Sequence, residues 1–419
     1  MQDGGNPLTQ LARPRLILDI VEEHFEELDF LWEQRENVIF APDWTLEELE
    51  ELEDRADAHL DGLRLAEGHS LDLARPALAG EDAGAATAAA LTVMTFGSDE
   101  PEAELLMALA AGTPEVREGI GTGLRHSDIR RVLPRIQELS QHAETPVRAA
   151  AAEILAFHRQ PPPPDIAHLV DGSEPSARAR LYAALRRFGG PWTAEPLVQA
   201  LDGEDPALQR AALETSAYVG LPGLAELCRH AVGRLTDPPA AAAAFLGVIG
   251  GEQDLPLLRR SLDNPAIAPS ALVGLGALGT ISAIPALLEA MRDADLRVAA
   301  GAAFTRITGA EEIDATEPLP PPEGLDEEES EFAEAQPAPD PDKARDWWER
   351  EKGRFAAEGR WQVGLEVSGA ALGEFFDRLP LAYRRDLLFE RRARDPVGTP
   401  DVELEKRARL QSLAMGDRG

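Results

Sequence analysis

Cysteine is almost absent from this chain: Cys228 is the only one in 419 residues. That excludes a disulfide framework and any zinc site built from cysteines. Positive charge is scarce as well. Against 75 Asp and Glu stand 41 Lys and Arg, mostly arginine, for a formal net charge of −34. General binding to DNA, RNA or an anionic membrane needs a basic face, and this balance argues against all three. No apolar run is long enough to span a bilayer. The start, Met1-Gln2-Asp3-Gly4-Gly5-Asn6, lacks the basic-then-apolar layout of a signal peptide, and Leu16-Ile17-Leu18 is cut at once by Asp19. A cytoplasmic protein is expected. There is no HExxH, P-loop, nucleophile elbow or Cys/His ligand cluster, and the eight histidines are scattered. No catalytic, cofactor-binding or metal-binding residue is therefore expected. The chain reads as a non-enzyme, with a site assembled from distant residues left open.

What the chain has instead is a phrase that returns between about Gly112 and Gly309. It reads Thr113-Pro114-Glu115-Val116-Arg117, Thr145-Pro146-Val147-Arg148, Glu174-Pro175-Ser176-Ala177-Arg178 and Asp205-Pro206-Ala207-Leu208-Gln209. It reappears as Asp237-Pro238, Asn264-Pro265 and Asp293-Ala294-Asp295-Leu296-Arg297. Successive copies lie roughly 30 residues apart, a period that signals stacked supersecondary units rather than one globular core. Each phrase opens an Ala-rich helical run, and most copies add a second run of the type Pro-x-Leu, as in Glu195-Pro196-Leu197-Val198 and Ile284-Pro285-Ala286-Leu287. Asp or Thr before Pro is suited to cap a helix whose first turn tolerates Pro. Small residues such as Ala149 to Ala152 let neighbouring helices approach, and Leu, Val and Ile at helical spacing supply the buried stripe. No hairpin buries that stripe alone. The fold class is thus all-α, an α-solenoid of short helical hairpins. The recurrent Arg117, Arg148, Arg178 and Arg297 would form either a binding ladder or, as a repeated charge favours, pairs with acidic or carbonyl groups of the adjacent repeat.

These repeats resemble the short HEAT-like repeats of phycobilisome-lyase-type proteins. The resemblance covers about half the chain and implies a fold rather than an activity.

Four regions follow. Residues 1–75 hold an acidic helical hairpin. Its first helix runs through Ile17, Ile20, Val21, His24, Phe25, Leu28, Leu31 and Trp32 and breaks between Asn37 and Asp43. Its second opens on the capping box Thr45-Leu46-Glu47-Glu48 and continues through Leu49, Leu52, Ala56, Leu60 and Leu63. His24, Leu31-Trp32-x-x-Arg35 and above all Ala58-His59-Leu60-Asp61-Gly62-Leu63 resemble the opening of an uncharacterised proteobacterial family, whose members join this signature to HEAT-like repeats. Relatives of that family are often found near genes of type VI secretion tips and effectors, which implies an effector or tip component as partner. His59 and Asp61 are two apart on a helix, so their side chains diverge, and packing or capping fits them better than a metal or catalytic pair.

The repeat array takes residues 76–309. Within it Gln160-Pro161-Pro162-Pro163-Pro164-Asp165 is a stiff connector, better suited to a loop inside a repeat than to a proline-rich ligand motif. Gly274-Leu275-Gly276-Ala277-Leu278-Gly279 matches a dinucleotide fingerprint in letters only. No strand pattern precedes it, and its glycines suit close helix packing. The last copy ends at Gly309 without a convincing second helix. Residues 310–342 are rich in Glu, Asp and Pro and read as a flexible acidic segment. Residues 343–419 form a mostly helical segment with Trp347, Trp348, Phe355 and Trp361, one short strand at 361–367, and an arginine-rich helix from about Leu381 to Arg394. Its Trp and Arg layout also resembles the close of that family. The aromatics are expected to cap the array, and the acid tract disfavours an RNA site there.

Three functions are open: a non-enzymatic scaffold or adaptor for a protein partner, an enzyme accessory of bilin-lyase type, and a HEAT-like nucleic-acid-processing protein. The first fits best. Its site is expected on the second helices, at Arg135, Gln199, Arg229, Arg259 and Glu289, which recur at comparable places and suit an extended protein segment.

Overall fold

The computed structural model describes residues 17–189, 192–234, 238–314, 338–356, 358–367, 376–399 and 404–411. The described residues are overwhelmingly helical, and the only strands among them are two residues long. The chain divides into two compact units, Met1–Val38 with Glu47–Ile166 and Ile39–Leu46 with Ala167–Gly419. The division falls inside the array, just after the four prolines.

The first unit contains α1 (Leu18–Val38), α2 (Leu46–Arg64), α3 (Glu67–Leu78), α4 (Ala83–Phe96), α5 (Asp99–Ala111), α6 (Pro114–Arg125), α7 (Leu133–Leu139) and α8 (Thr145–Phe157). The N-terminal pair is no separate hairpin, because α1 and α3 both pack on α4. Buried Arg35 of α1 reaches α2, donating from Nε to Glu53 at 2.7 Å, with its guanidinium over Trp32. From α4 onward the hairpin pattern is regular. The first helices α4, α6 and α8 stack as one layer, and α5 and α7 lie beside them as second helices.

The second unit continues with α9 (Ile166–Asp171), α10 (Pro175–Phe188), α11 (Ala194–Asp202), α12 (Pro206–Tyr218), α13 (Leu224–Val232), α14 (Ala240–Ile249), α15 (Leu255–Ser261), α16 (Ala268–Leu278), α17 (Ile284–Ala290) and α18 (Arg297–Thr308). Here α10, α12, α14, α16 and α18 stack as first helices. Small residues make this possible. A Cβ on Gly247 would lie 1.9 Å from the carbonyl oxygen of Gly274, and one on Gly119 in the first unit 2.1 Å from that of Ala83. Backbone meets backbone at these points, so Gly274 and Gly276 of the letter-match fingerprint serve helix packing, inside α16.

The recurring phrase does two jobs. Thr113 and Asp205 cap their helices, accepting from Val116 N at 3.3 Å and Leu208 N at 2.9 Å. Asn264 and Asp293 instead accept from the residue two further on, forming short turns, and α16 and α18 begin only at Ala268 and Arg297. The preceding residues Glu144 and Glu174 offer no side-chain cap at all. The arginine of the phrase reaches back to the previous hairpin. Arg117 donates to Leu109 O and Gly112 O, Arg178 to Val170 O, Asp171 O and Ser173 O, and Arg297 to Met291 O. Cations there satisfy orphan carbonyls at the negative end of a helix. Arg148 departs from the pattern and pairs with Asp165.

The last hairpin is completed from a distance. Asp314 and Pro339 form an antiparallel bridge, Asp340 N donates to Ile313 O at 2.8 Å, and Asp340 caps α19 (Pro341–Glu351). α19 packs on α17 and brings Trp347 against Phe304 of α18. It stands where the missing second helix would be. The ends of the acidic segment are therefore structured, while 315–337 lies outside the described residues.

Candidate functional site

Five residues were singled out on the second helices. Arg135 lies on α7 in the first unit; Gln199, Arg229, Arg259 and Glu289 lie on α11, α13, α15 and α17 in the second. Besides Ile284 of α17 and Ala231 of α13, each of these helices sends one fully buried residue into its hairpin: Ile136, Leu197, Cys228, Leu258 and Leu287. Counted from it, Arg135 is one position before, Arg229 and Arg259 one after, and Gln199 and Glu289 two after. A helical step turns about 100°, so the five point in three directions and are not equivalent positions. Arg135, Gln199, Arg259 and Glu289 are exposed.

Arg229 is different. Its Nε and Nη2 donate to Asp254 at 2.5 and 3.2 Å, and Nη1 to Glu226 at 2.9 Å. Asp254 is only 1% exposed and also accepts from Gly251 N at 3.0 Å, tying the turn before α15. The hydrogen bond to Asp254 holds the Arg229 guanidinium above its ordinary value. Arg229 therefore joins α13 to α15 rather than offering itself to a partner. Beside it, burial pushes the Cys228 thiol up to about 12, so it stays protonated and unreactive at neutral pH.

The opposite side of the second unit is occupied by the chain itself. The arginine-rich helix, α20 (Leu381–Arg394), lies along α12 and α14, well beyond an end cap. The turn at 39–46 receives its first N–H groups: Leu381 N donates to Trp44 O at 2.7 Å and Ala382 N to Ala41 O at 3.1 Å. Arg385 donates from Nε and Nη2 to Glu214 of α12 at 3.1 and 2.6 Å and from Nη1 to Glu405 at 3.2 Å, between the rings of Phe40 and Phe389. Arg186 and Arg187 of α10 each approach Glu405 to 2.7 Å. Burial alone would raise the Glu214 carboxyl, but Arg385, Arg210 and Arg186 outweigh it and hold it at about 2. Glu405 is lowered in the same way by Arg186, Arg187 and Arg385. Both stay ionised. The cavity among Arg186, Arg187, Tyr218, Phe389 and Glu405 measures about 10 Å³, the room of one water molecule.

Two further arginines of α20, Arg384 and Arg394, are committed as well. Arg394 and Arg360 pair with Glu390, and Arg384 with Gln411 and Asp377. Burial pushes Arg384 down to about 10, which still leaves it charged at neutral pH. Arg306 of α18 pairs with Asp386 at 2.9 Å beneath the ring of Tyr383. The expected single strand is a hairpin, β1 (Trp361–Gln362) and β2 (Leu365–Glu366), turning at Val363-Gly364. It caps the ends of α16 and α18. Trp361 N donates to Gly279 O at 2.8 Å, Arg360 to Leu278 O and Ala277 O, and Val363 N to Arg306 O at 2.6 Å.

The first unit holds two titratable clusters. Asp29 of α1 is raised to about 6 by partial burial and by the charges of Asp82 and Glu33. His59 of α2 does not meet Asp61, which pairs with Arg64. It faces His24 of α1, a residue that helical periodicity placed in the apolar stripe. Among the described residues no group of three or more His, Cys, Asp and Glu is arranged to hold a metal ion.

The second-helix row and the covered first-helix layer belong to a recognisable kind of array. A family profile described as the PBS lyase HEAT-like repeat matches residues 270–293, from within α16 to just past α17. A search of curated proteins finds no match. The matched stretch is one hairpin of the series, built like its neighbours from a small-residue first helix and a short second helix. The chain carries a PBS lyase HEAT-like repeat within an all-α array of helical hairpins.

Proposed function

We propose that the protein is a non-enzymatic scaffold that holds a protein partner along the second helices of its second unit. One observation carries the reading. In that unit α20 covers α12 and α14 and the β1–β2 hairpin caps the ends of α16 and α18, whereas Val198, Gln199, Arg259, Arg260 and Glu289 stand exposed on the second helices α11, α15 and α17. The row mixes apolar, positive and negative groups, which suits an extended polypeptide better than a small molecule. Loading of a type VI secretion effector or tip component is the narrower form of this proposal, and it rests on the resemblance of the N-terminal signature. A nucleic-acid partner is disfavoured, since Arg384, Arg385 and Arg394 of α20 are taken up by Asp377, Glu214, Glu405 and Glu390. Among the described residues no helix is long and apolar enough to cross a membrane.

The test is capture of the partner from the native cell, followed by binding to two variants of the full chain. Arg259→Glu with Arg260→Glu reverses the charge of the row, and Glu47→Lys with Glu51→Lys that of the exposed α2 face. Arg229 is left alone because it anchors Asp254. Loss of binding only in the Arg259/Arg260 variant, with an unchanged melting temperature, supports the row. Loss only in the Glu47/Glu51 variant moves the site to the N-terminal helices.

A further inference from the structure

His24 and His59, 35 residues apart in sequence, present Nδ1 to Nδ1 at 3.1 Å across α1 and α2, their rings nearly perpendicular with centroids 5.1 Å apart. Two imidazole nitrogens this close have two stable arrangements. In one, a proton sits between them as an N–H···N hydrogen bond. In the other, both nitrogens are unprotonated and share a cation. Two nitrogens at about 2.0–2.1 Å from one zinc ion are about 3.3 Å apart in a tetrahedron, and about 2.9 Å apart at neighbouring corners of a square. The observed separation lies between these two values.

The charged groups that act on His59 are His24, Glu27, Arg55 and Glu23, two of them carboxylates. Glu22 and His69 of α3 form a separate pair at 3.5 Å. The His24 ring also occupies space that only a glycine leaves. A Cβ on Gly62 would lie 2.5 Å from its Cδ2 and Nε2. Both rings are half-buried, so water reaches the pair and can complete a coordination shell.

We propose that His24 and His59 bind one late first-row divalent metal ion through their Nδ1 atoms, with water filling the remaining positions and α1 thereby fastened to α2. With imidazole ligands and no enforced geometry, Cu²⁺ binds tightest, and Ni²⁺ and Zn²⁺ more weakly. Binding displaces the shared proton and releases it to solvent.

The experiment uses the full chain after chelator treatment, titrated calorimetrically with Cu²⁺ and with Zn²⁺ at pH 7.5. The expected result is one equivalent of Cu²⁺ bound at micromolar concentration, a copper–imidazole absorption band, and a rise in melting temperature. His24→Ala and His59→Ala should each weaken that binding at least tenfold, while His69→Ala leaves it unchanged. Gly62→Ala should also weaken it by displacing the His24 ring. Lowering the pH to about 5.5 should abolish it, because ligand imidazoles must be unprotonated. Should an alanine variant unfold, as judged by circular dichroism without metal, His24→Gln and His59→Gln replace it. Absence of binding at 100-fold higher metal, or retention of full affinity by both histidine variants, overturns the proposal and leaves the hydrogen-bonded pair.

Discussion

The two sides of the repeat array are built by opposite rules. First helices touch through glycine and alanine, backbone against backbone, and in the second unit α12 and α14 are then overlaid by an arginine-rich helix whose Arg384 and Arg385 are buried and paired. Second helices are short, of six to nine residues in the second unit. Each is held by up to four buried side chains and otherwise presents mixed polar groups to water. The first side tolerates little change because nothing there can move independently. The second side is free to vary, which is what a recognition surface requires. The difference teaches that in this chain the regular packing and the proposed recognition surface lie on different faces rather than in different domains.

The sharpest way to break the comparison is to add volume where two backbones meet. Gly247→Leu places a side chain where even Cβ would lie 1.9 Å from the Gly274 carbonyl oxygen. Because the obstacle is main chain, α14 and α16 must separate. A loss above about 5 kcal/mol is expected, beyond the usual range for a point change, and urea melts of the soluble fraction would measure it. An enlargement on the other side, Gln199→Leu, should stay within about 0.5 kcal/mol of the parent. Similar losses for both would dissolve the distinction.

Next in size is the ion cluster beneath α20. Glu214→Gln leaves Arg385 and Arg186 facing Glu405 alone, and removing one partner of a buried pair costs about 3–5 kcal/mol. Glu214→Met with Arg385→Met should recover much of that loss, since it removes the desolvated charges together. The pH dependence has a definite sign. With its folded value at about 2, below its ordinary 4.5, Glu214 stabilises fully above 4.5. That contribution is lost as pH falls from 4.5 towards 2. Melting temperatures between pH 2 and 7 should therefore fall less steeply on acidification in Glu214→Gln than in the parent. Parallel curves would mean that Glu214 is not held ionised by its arginines.

Why the array was readable and its covering was not comes down to range. The hairpins are local: the phrase, the period and the Ala-rich runs act within 30 or so residues, and the repeated arginine reaches only to the helix before it. Capping at Thr113 and Asp205 was legible for the same reason, whereas Asn264 and Asp293 use the same letters for a turn. The partners of Arg385, Arg306 and His59 are another matter. Glu214 precedes Arg385 by 171 residues, and Gln362, which accepts from Arg306 Nε at 2.9 Å, follows it by 56; no periodicity links either pair. Likewise α19 completes a hairpin whose first helix ended before the acidic segment. Of the five second-helix residues, Arg135, Gln199, Arg259 and Glu289 are exposed. The misleading one, Arg229, looked like its neighbour Arg259 because Asp254 lies one hairpin away, outside any local pattern.

That pair of arginines supplies the smallest and finest test. Arg229 and Arg259 share a register and a residue type, so a change to alanine removes the same atoms from each. Only Arg229 serves a carboxylate that is 1% exposed. Arg229→Ala would leave Asp254 with the Gly251 N–H and no cation, and losing a charge-assisted hydrogen bond to a buried group costs about 2 kcal/mol. Arg259→Ala removes only solvated contacts and should fall within about 0.5 kcal/mol. The double variant Arg229→Ala with Asp254→Asn should be less destabilised than Arg229→Ala alone, because an amide needs no counter-charge. If instead Arg229→Ala is silent in stability yet weakens partner capture as much as the Arg259/Arg260 reversal, Arg229 belongs to the recognition row. The boundary between the two sides would then run through α13 itself.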